Sequence, residues 1–178
     1  MPKFKANQSP AAIRRTPKFC AQCSFELKLT FIAEENQKRL FCSQCGHIAY
    51  LNPFVVAGAI PEDRGKVLLL RRGIEPMKHF WTFPAGFVEL GESVLNGAIR
   101  ETLEETGAKI KIKDLLGVYS YSDHITVNVI YRAKVTGGTL RTCPESEEVR
   151  WFPKSKIPWR ELAFRSTQEA LADWVKGR

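Results

Sequence analysis

The chain has 178 residues, 44% hydrophobic and 26% charged, with a formal net charge of +8. That balance suits one globular domain with a small appendage and excludes a disordered tail protein, a collagen-like repeat and a coiled coil. The longest apolar runs, residues 54–60 and 67–70, fall far short of the ~20 residues a membrane-spanning helix needs, so no contact with a membrane is expected.

Five of the positive charges, Lys3, Lys5, Arg14, Arg15 and Lys18, precede the first cysteine with no acid among them. Residues 1–17 read as a basic, solvated tail, with nucleic-acid contact and organelle targeting as the competing readings. The tail lacks the apolar stretch of a secretory signal, and a reducing, cytoplasmic location is expected. Four of the five cysteines then fall as Cys20-x2-Cys23 and Cys42-x2-Cys45. Two such knuckles bring four thiolates into a tetrahedron around Zn2+, a closed set that leaves no open coordination position and therefore supports the fold without doing chemistry. A pair of redox-active dithiols is the alternative, although a redox Cys-x2-Cys usually stands alone beside a βαβ pattern. Between the knuckles Phe25, Leu27, Leu29 and Phe31 alternate with Glu26, Lys28 and Thr30, the period of a strand with one buried face. Residues 18–50 thus read as a zinc ribbon. Cys143, far from the others, reads as a bystander thiol.

At Asn52-Pro53 the composition turns apolar, and the residue before proline is driven into an extended conformation; a second domain is expected over 51–178. Residues 54–60 and 67–72 read as two strands around the turn 61–65. After a loop rich in Pro, Gly and aromatics, Ser93 as N-cap and Gly107 as terminator bound a helix over 94–106. Strands are expected over 110–121, 125–135 and 149–152. The C-terminal helix is expected to open on a Ser166-x2-Glu169 capping box and to bury Ala170, Leu171, Trp174 and Val175. This mixed order of strands and helices argues for an α+β or α/β sandwich.

On the central helix Glu101, Glu104 and Glu105 stand at i, i+3 and i+4, so their carboxylates leave one face. Three like charges so placed repel unless a cation offsets them. Oxygen-only ligands suit Mg2+ or Mn2+, which take one or two carboxylates together with substrate phosphate oxygens. Leu95, Ala98, Ile99 and Thr102, with Leu103 at the margin, are expected to bury the other face. A solvated acidic helix is the bland alternative.

The surrounding segment, residues 86–108, reads G-F-V-E-L-G-E-S-V-L-N-G-A-I-R-E-T-L-E-E-T-G-A. It fits G-x5-E-x7-R-E-U-x-E-E-x-G-U at every charged and glycine position and resembles the Nudix box. Thr102 and Ala108 fill the apolar positions weakly, and Gly97 interrupts the helix at a cost of roughly 1 kcal/mol against alanine. The resemblance implies an α+β fold, a Nudix α/β/α sandwich with a mixed sheet. It also implies a divalent-metal site made by Glu101, Glu104, Glu105 and the carbonyl of Gly86, with Arg100 holding Glu92 or Glu101 in place. The implied reaction is hydrolysis of a nucleoside diphosphate linked to another group, with the general base left among Glu101, Glu104 and an acid of the loop 144–148.

A four-cysteine ribbon followed by such a domain narrows the resemblance further. The specificity signature of the NADH pyrophosphatases, which also remove nicotinamide caps from RNA, is not present. The segments H-F-W-T-F-P-A-G-F-V-E-L-G-E and I-P-W-R-E-L-A-F-R-S are similar to the ribbon-containing Nudix hydrolases related to FAD and ADP-ribose pyrophosphatases. That group implies an adenine dinucleotide substrate, with Phe80 or Trp81 stacking on a ring (a core place under the loop being the alternative for Trp81), Arg71 or Arg72 meeting phosphate, and Glu145 near the substrate. RNA contact through ribbon and tail, and a homodimer, are compatible with the resemblance. A non-catalytic nucleotide sensor that binds nucleic acid is the reading from another class, and the intact set of glutamates with their arginine speaks against it.

Overall fold

A computed structural model describes residues 16–177; Lys3, Lys5, Arg14 and Arg15 lie outside the described residues. The chain divides into two compact units at Pro53/Phe54. Among the described residues no helix is long and apolar enough to cross a membrane.

The first unit is a three-stranded antiparallel sheet of β1 (Lys28–Ile32), β2 (Gln37–Phe41) and β3 (Ile48–Ala49) in that order. Each cysteine pair sits on a tight turn: the Ser24 N–H returns to the Cys20 carbonyl and the Gly46 N–H to the Cys42 carbonyl, both at 2.9 Å. The small core is Cys20, Leu27 and Cys42, flanked by Leu40 and Ala49. The expected apolar strand face is therefore only partly buried. Leu27 is buried, but Phe25, Leu29 and Phe31 are exposed, because the thiols occupy the centre and so short a sheet has no second layer to cover the hairpin.

The second unit is a seven-stranded mixed sheet in the order β10-β5-β4-β9-β8. Its strands are β4 (Phe54–Asp63), β5 (Lys66–Arg72), β8 (Ala108–Ser120), β9 (Thr126–Gly138) and β10 (Ser146–Pro153). Two short strands complete it: β6 (Trp81–Thr82) pairs with β5, and β7 (Ala85–Phe87) pairs with β4. The pair β4/β9 is parallel and the others are antiparallel. Residues alternate across the sheet, so each face acquires its own core. On one face Ala57, Ala59, Ile110 and Ala133 receive Ala98 of α1 (Val94–Thr106). On the other Ile60, Val67, Leu69 and Ile130 receive Ala170, Leu171 and Trp174 of α2 (Arg165–Lys176). Layers of helix, sheet and helix follow, the expected α+β sandwich.

Two local expectations change. The apolar side of α1 is built from Gly97, Ala98, Thr102 and Thr106, whereas Leu95 and Leu103 are exposed. Small side chains let α1 lie close to the alanines of β4, and the Thr102 and Thr106 hydroxyls, being buried, donate to the carbonyls one turn back at 2.7 and 2.6 Å. At the C-terminus Ser166 caps nothing. Phe164, which has no polar side-chain atom, is the N-cap residue and Ser166 lies inside the first turn, while Glu169, the other half of the expected box, accepts from Arg165 and from the Tyr121 hydroxyl, both at 2.8 Å.

Gly107 ends α1 with φ 73°, and an added Cβ there would lie 2.2 Å from the Thr139 carbonyl oxygen. Gly177 ends α2 with φ 75° in open space. Gly177→Ala should cost about 1–2 kcal/mol, the left-handed backbone penalty alone, while Gly107→Ala should add about 1–3 kcal/mol of overpacking. Urea denaturation of the two variants measures the difference; equal losses would contradict the crowding assigned to the α1 end.

Candidate active site

The pairing of β7 with β4 sets Ala57 opposite Gly86 and carries the chain beneath α1. A Cβ on Gly86 would stand 2.3 Å from the carboxyl carbon of Glu101, so only glycine lets this carboxylate reach the strand. Ser93 caps α1 by accepting from the Asn96 N–H at 3.1 Å, and the helix then presents Arg100, Glu101, Glu104 and Glu105 beside Gly86.

Arg100 is the hub. Its guanidinium donates to Glu92 Oε1 at 2.7 Å and Oε2 at 3.2 Å, to Glu101 Oε1 at 2.7 Å, to Glu104 Oε2 at 3.1 Å and to the Phe87 carbonyl at 3.0 Å. A planar, permanently charged fork suits that many acceptors. Glu92 also accepts from the Glu89 N–H at 2.8 Å, and Arg100 with that N–H holds its carboxyl below the usual carboxylate range. Glu101 moves the other way: burial raises it, against the opposing pull of Arg100. Gly97 lies under this cluster, its absent Cβ facing Glu92 and Ala57, so it serves close packing of α1 on β4.

Glu105 accepts the Ala85 N–H at 2.9 Å. Burial pushes it up to about 8, with the charges of Glu101 and Glu145 adding to the effect and the Ala85 N–H and Arg72 opposing it. The ligand oxygens of the three helix carboxylates do not all lie within 4.8 Å of one another. Among the described residues, the group of ligand atoms lying within 4.8 Å of one another is a cysteine quartet, with no acidic group beside it. Glu101 and Glu104 accept from Arg100 while Glu105 accepts the Ala85 N–H, so the acids of this helix take separate donors yet remain within one another's fields. The donor set still fits a hard divalent cation, because it consists of oxygens only and includes a buried carboxyl that a cation would keep ionised.

The remaining expected residues divide. Arg72 donates to the Pro76 carbonyl at 2.8 Å, and its guanidinium carbon lies 5.0 Å from the Phe164 ring centroid. Burial lowers its basicity, and Glu105, Glu145 and Glu75 oppose that, so its charge is felt at the helix acids. Glu145 belongs to the same field, raising both Glu101 and Glu105, and its carbonyl accepts the Gly73 N–H at 2.8 Å. Arg71 is turned to the His79 carbonyl at 2.9 Å and lies 3.8 Å from Glu147. Trp81 is no stacking platform: it is 4% exposed in the core, edge-on to Phe152 with centroids 4.8 Å apart. Its pairing with Arg71 across β6 and β5 turns the ring inward, a consequence of a short strand that the loop-like composition of 73–85 conceals.

Two features at the site have no sequence signal. Ser146, buried in β10, donates its hydroxyl to the Glu105 carbonyl at 3.3 Å and accepts the Cys143 N–H at 2.9 Å, which ties the acidic loop to α1. His79 Nδ1 meets Glu147 at 2.8 Å and joins the loop after β5 to the same segment. Both depend on partners about 40 and 70 residues apart in sequence.

In the first unit, Cys20 and Cys45 Sγ lie 3.6 Å apart and Cys23 and Cys42 Sγ 3.4 Å apart, and all four ligand atoms fall within 4.8 Å of one another. Four soft thiolates so arranged form a closed tetrahedral donor set for a metal such as zinc. Cys143 lies in the other unit against Ser146.

Comparison with known proteins agrees with this arrangement. The NUDIX domain model matches residues 52–175 and the Nudix N-terminal model, a zinc ribbon, matches residues 18–51. An ADP-ribose pyrophosphatase of Methanocaldococcus jannaschii is 38% identical over 132 residues, covering 71% of this chain and 76% of that protein. An NAD-capped RNA hydrolase NudC of Pseudomonas aeruginosa is 27% identical over 147 residues, and the match spans 50% of its length. The crystal structure of a NUDIX hydrolase from Nitrosomonas europaea superimposes with a TM-score of 0.86 at 41% identity, over 91% of this chain and 92% of that one.

Removing the hub should be felt in stability as well as in chemistry. Arg100→Ala leaves the Glu92 and Glu101 carboxylates, 17% and 15% exposed, without their donor and should cost about 1–3 kcal/mol in urea denaturation with EDTA present. Arg100→Lys, a point charge without the fork, should recover less than half of that. An Arg100→Ala variant as stable as the parent chain would refute the role.

Proposed function

The chain belongs to the Nudix hydrolase family and is a pyrophosphohydrolase, and from that premise we propose that it splits, with a divalent metal, the pyrophosphate bond of an adenine dinucleotide such as ADP-ribose or FAD. The observation that carries this reading is Arg100 bound at once to Glu92, Glu101 and Glu104 beside Gly86. A sensor of nucleotides would have no use for that concentration of acid, whereas a pyrophosphate substrate requires cations to be brought to its oxygens.

Glu101, Glu104, Glu105 and the Gly86 carbonyl would hold Mg2+ or Mn2+. When bound, such an ion offsets charge developing on the diphosphate and lowers the pKa of the attacking water. The other steps fall to the chain. Arg100 fixes the orientation of the ligating carboxylates, an outer-shell role. Glu92 holds the second edge of that guanidinium. Arg72, half-buried and within the fields of Glu105 and Glu145, is favoured over Arg71 for contact with substrate phosphate, since Arg71 is committed to His79 and Glu147. Glu101 and Glu145, carboxylates that feel one another's charge, are the better-supported candidates for the base that takes a proton from water. Cys20, Cys23, Cys42 and Cys45 would hold a structural Zn2+ in the ribbon.

A second reading, removal of a nicotinamide cap from RNA, is favoured by the similarity to NudC and by the exposed Phe25 and Phe31 of the ribbon, on which bases could stack. The same pyrophosphate chemistry serves both.

With Mg2+ the protein should release AMP from ADP-ribose or FAD, and EDTA should stop the reaction. Glu104, 58% exposed, can be changed without disturbing the core, so Glu104→Gln should lose at least about 100-fold in kcat while keeping its melting temperature; turnover that persists in this variant would overturn the metal-ligand assignment. Comparing kcat/KM for ADP-ribose, FAD, NADH and NAD-capped RNA ranks the two readings. Zinc analysis should find one equivalent per chain, lost in Cys42→Ser; metal-free wild-type protein with an intact ribbon would refute the structural site.

A further inference from the structure

The end of the sheet remote from Gly86 carries a second charged feature of opposite sign. Gly86 pairs with Ala57, five residues and about 17 Å along β4 from Glu62. Beside Glu62 and the last turn of α2 lies a cleft of about 410 Å³ whose lining includes the cations Arg64, Lys113, Lys134 and Lys154 and the acids Glu62 and Asp63. It opens on the α2 face, the face opposite to α1.

The acids there are already engaged. Glu62 accepts from Lys113 and from the Trp174 indole at 2.8 Å, Asp63 lies 3.9 Å from Arg64, and neighbouring Asp114 is paired with Arg132 at 2.6 Å. Lys134 and Lys154 have no carboxylate partner among the described residues, and neither does Lys111, which stands directly opposite Lys134 across β8 and β9. Like charges directly opposed in an antiparallel pair are destabilising. The next lysine, Lys109, follows on the same face, away from Ile110 and Ile112, which join the α1 core, about 6.8 Å along the strand. The result is a surplus of cations spread over β8 and β9 and adjoining an open cleft.

We propose that this cleft and the Lys109/Lys111 edge beside it dock the phosphodiester backbone of a single-stranded nucleic acid. Point charges spread over two neighbouring strands suit a chain of phosphates better than one compact anion, which would need a fork or a nest of backbone N–H groups. Trp174 is 3% exposed, so no base can stack on it, and binding here is sequence-independent and strongly salt-dependent. The inference does not depend on the hydrolytic reading, since it concerns the other end and the other face of the sheet.

Fluorescence anisotropy of a labelled 20-nucleotide RNA with the full chain, between 50 and 200 mM salt, tests it without any turnover. The Lys111→Glu/Lys134→Glu variant should bind at least tenfold more weakly, with a log–log salt slope shallower by about 1.4, or 0.7 for each phosphate no longer neutralised, and with unchanged hydrolysis of ADP-ribose. Lys134→Ala should give a smaller loss in the same direction. The proposal is overturned if the double variant binds as the parent does, or if binding disappears instead on neutralising Lys3, Lys5, Arg14 and Arg15 or on Phe31→Ala. It is also overturned if phosphatidylserine vesicles are bound in preference to RNA through the same lysines.

Discussion

Three glutamates held by one arginine, with a fourth beside them, are the constraint to which the rest of the catalytic unit is fitted. Arg100 alone cannot neutralise Glu92, Glu101, Glu104 and Glu105; Glu105 has the Ala85 N–H and the charge of Arg72 in its favour, and burial still pushes it up to about 8. Such an excess of negative charge calls for further positive charge, which a divalent ion would supply. The backbone is shaped to permit this crowding. β7 passes under α1 at a glycine, and the fully buried side chains that α1 sets against β4 are no larger than threonine, with Val94 and Ile99 packed at the margin.

The sheet separates two kinds of demand. Its interior rows, Ile60, Val67, Leu69 and Ile130 toward α2 and Ala57, Ala59 and Ala133 toward α1, supply the rigidity that orientation of carboxylates requires. Its ends carry the charge, acidic where α1 meets β7 and basic where β8 and β9 run past the last turn of α2. Loops tied to one another, rather than to the core, border the acidic end: His79 with Glu147, Gly73 with Glu145, Ser146 with Glu105. Segments of that kind can vary without disturbing the layers beneath, which is the condition for tuning substrate selection separately from the metal centre.

The ribbon follows another principle. With a core of Cys20, Leu27 and Cys42 it has too little apolar burial to be stable on its own account, and the closeness of four thiols supplies the remaining stabilisation only through a metal. Its exposed Phe25, Leu29 and Phe31 are what remains when metal ligands take the place of a hydrophobic centre.

Much was legible in the order of residues alone. Spacing of cysteines marks the ribbon, the i, i+3, i+4 glutamates with Gly86, Glu92 and Arg100 mark the box, and Ser93 and Gly107 mark the ends of α1, since each of these is a local relation that a helix or a turn enforces within a few residues. What lay beyond reach were relations between distant segments. Whether Trp81 faces solvent or core depends on β6 pairing with β5; whether Glu169 caps a helix or binds Tyr121 depends on how α2 lies on β8. Likewise the donor that Glu105 finds, the Ala85 N–H, is brought to it by β7. Periodicity determines which residues share a face, but the donors and acceptors that face them are brought by other strands, and only the folded sheet decides those partnerships.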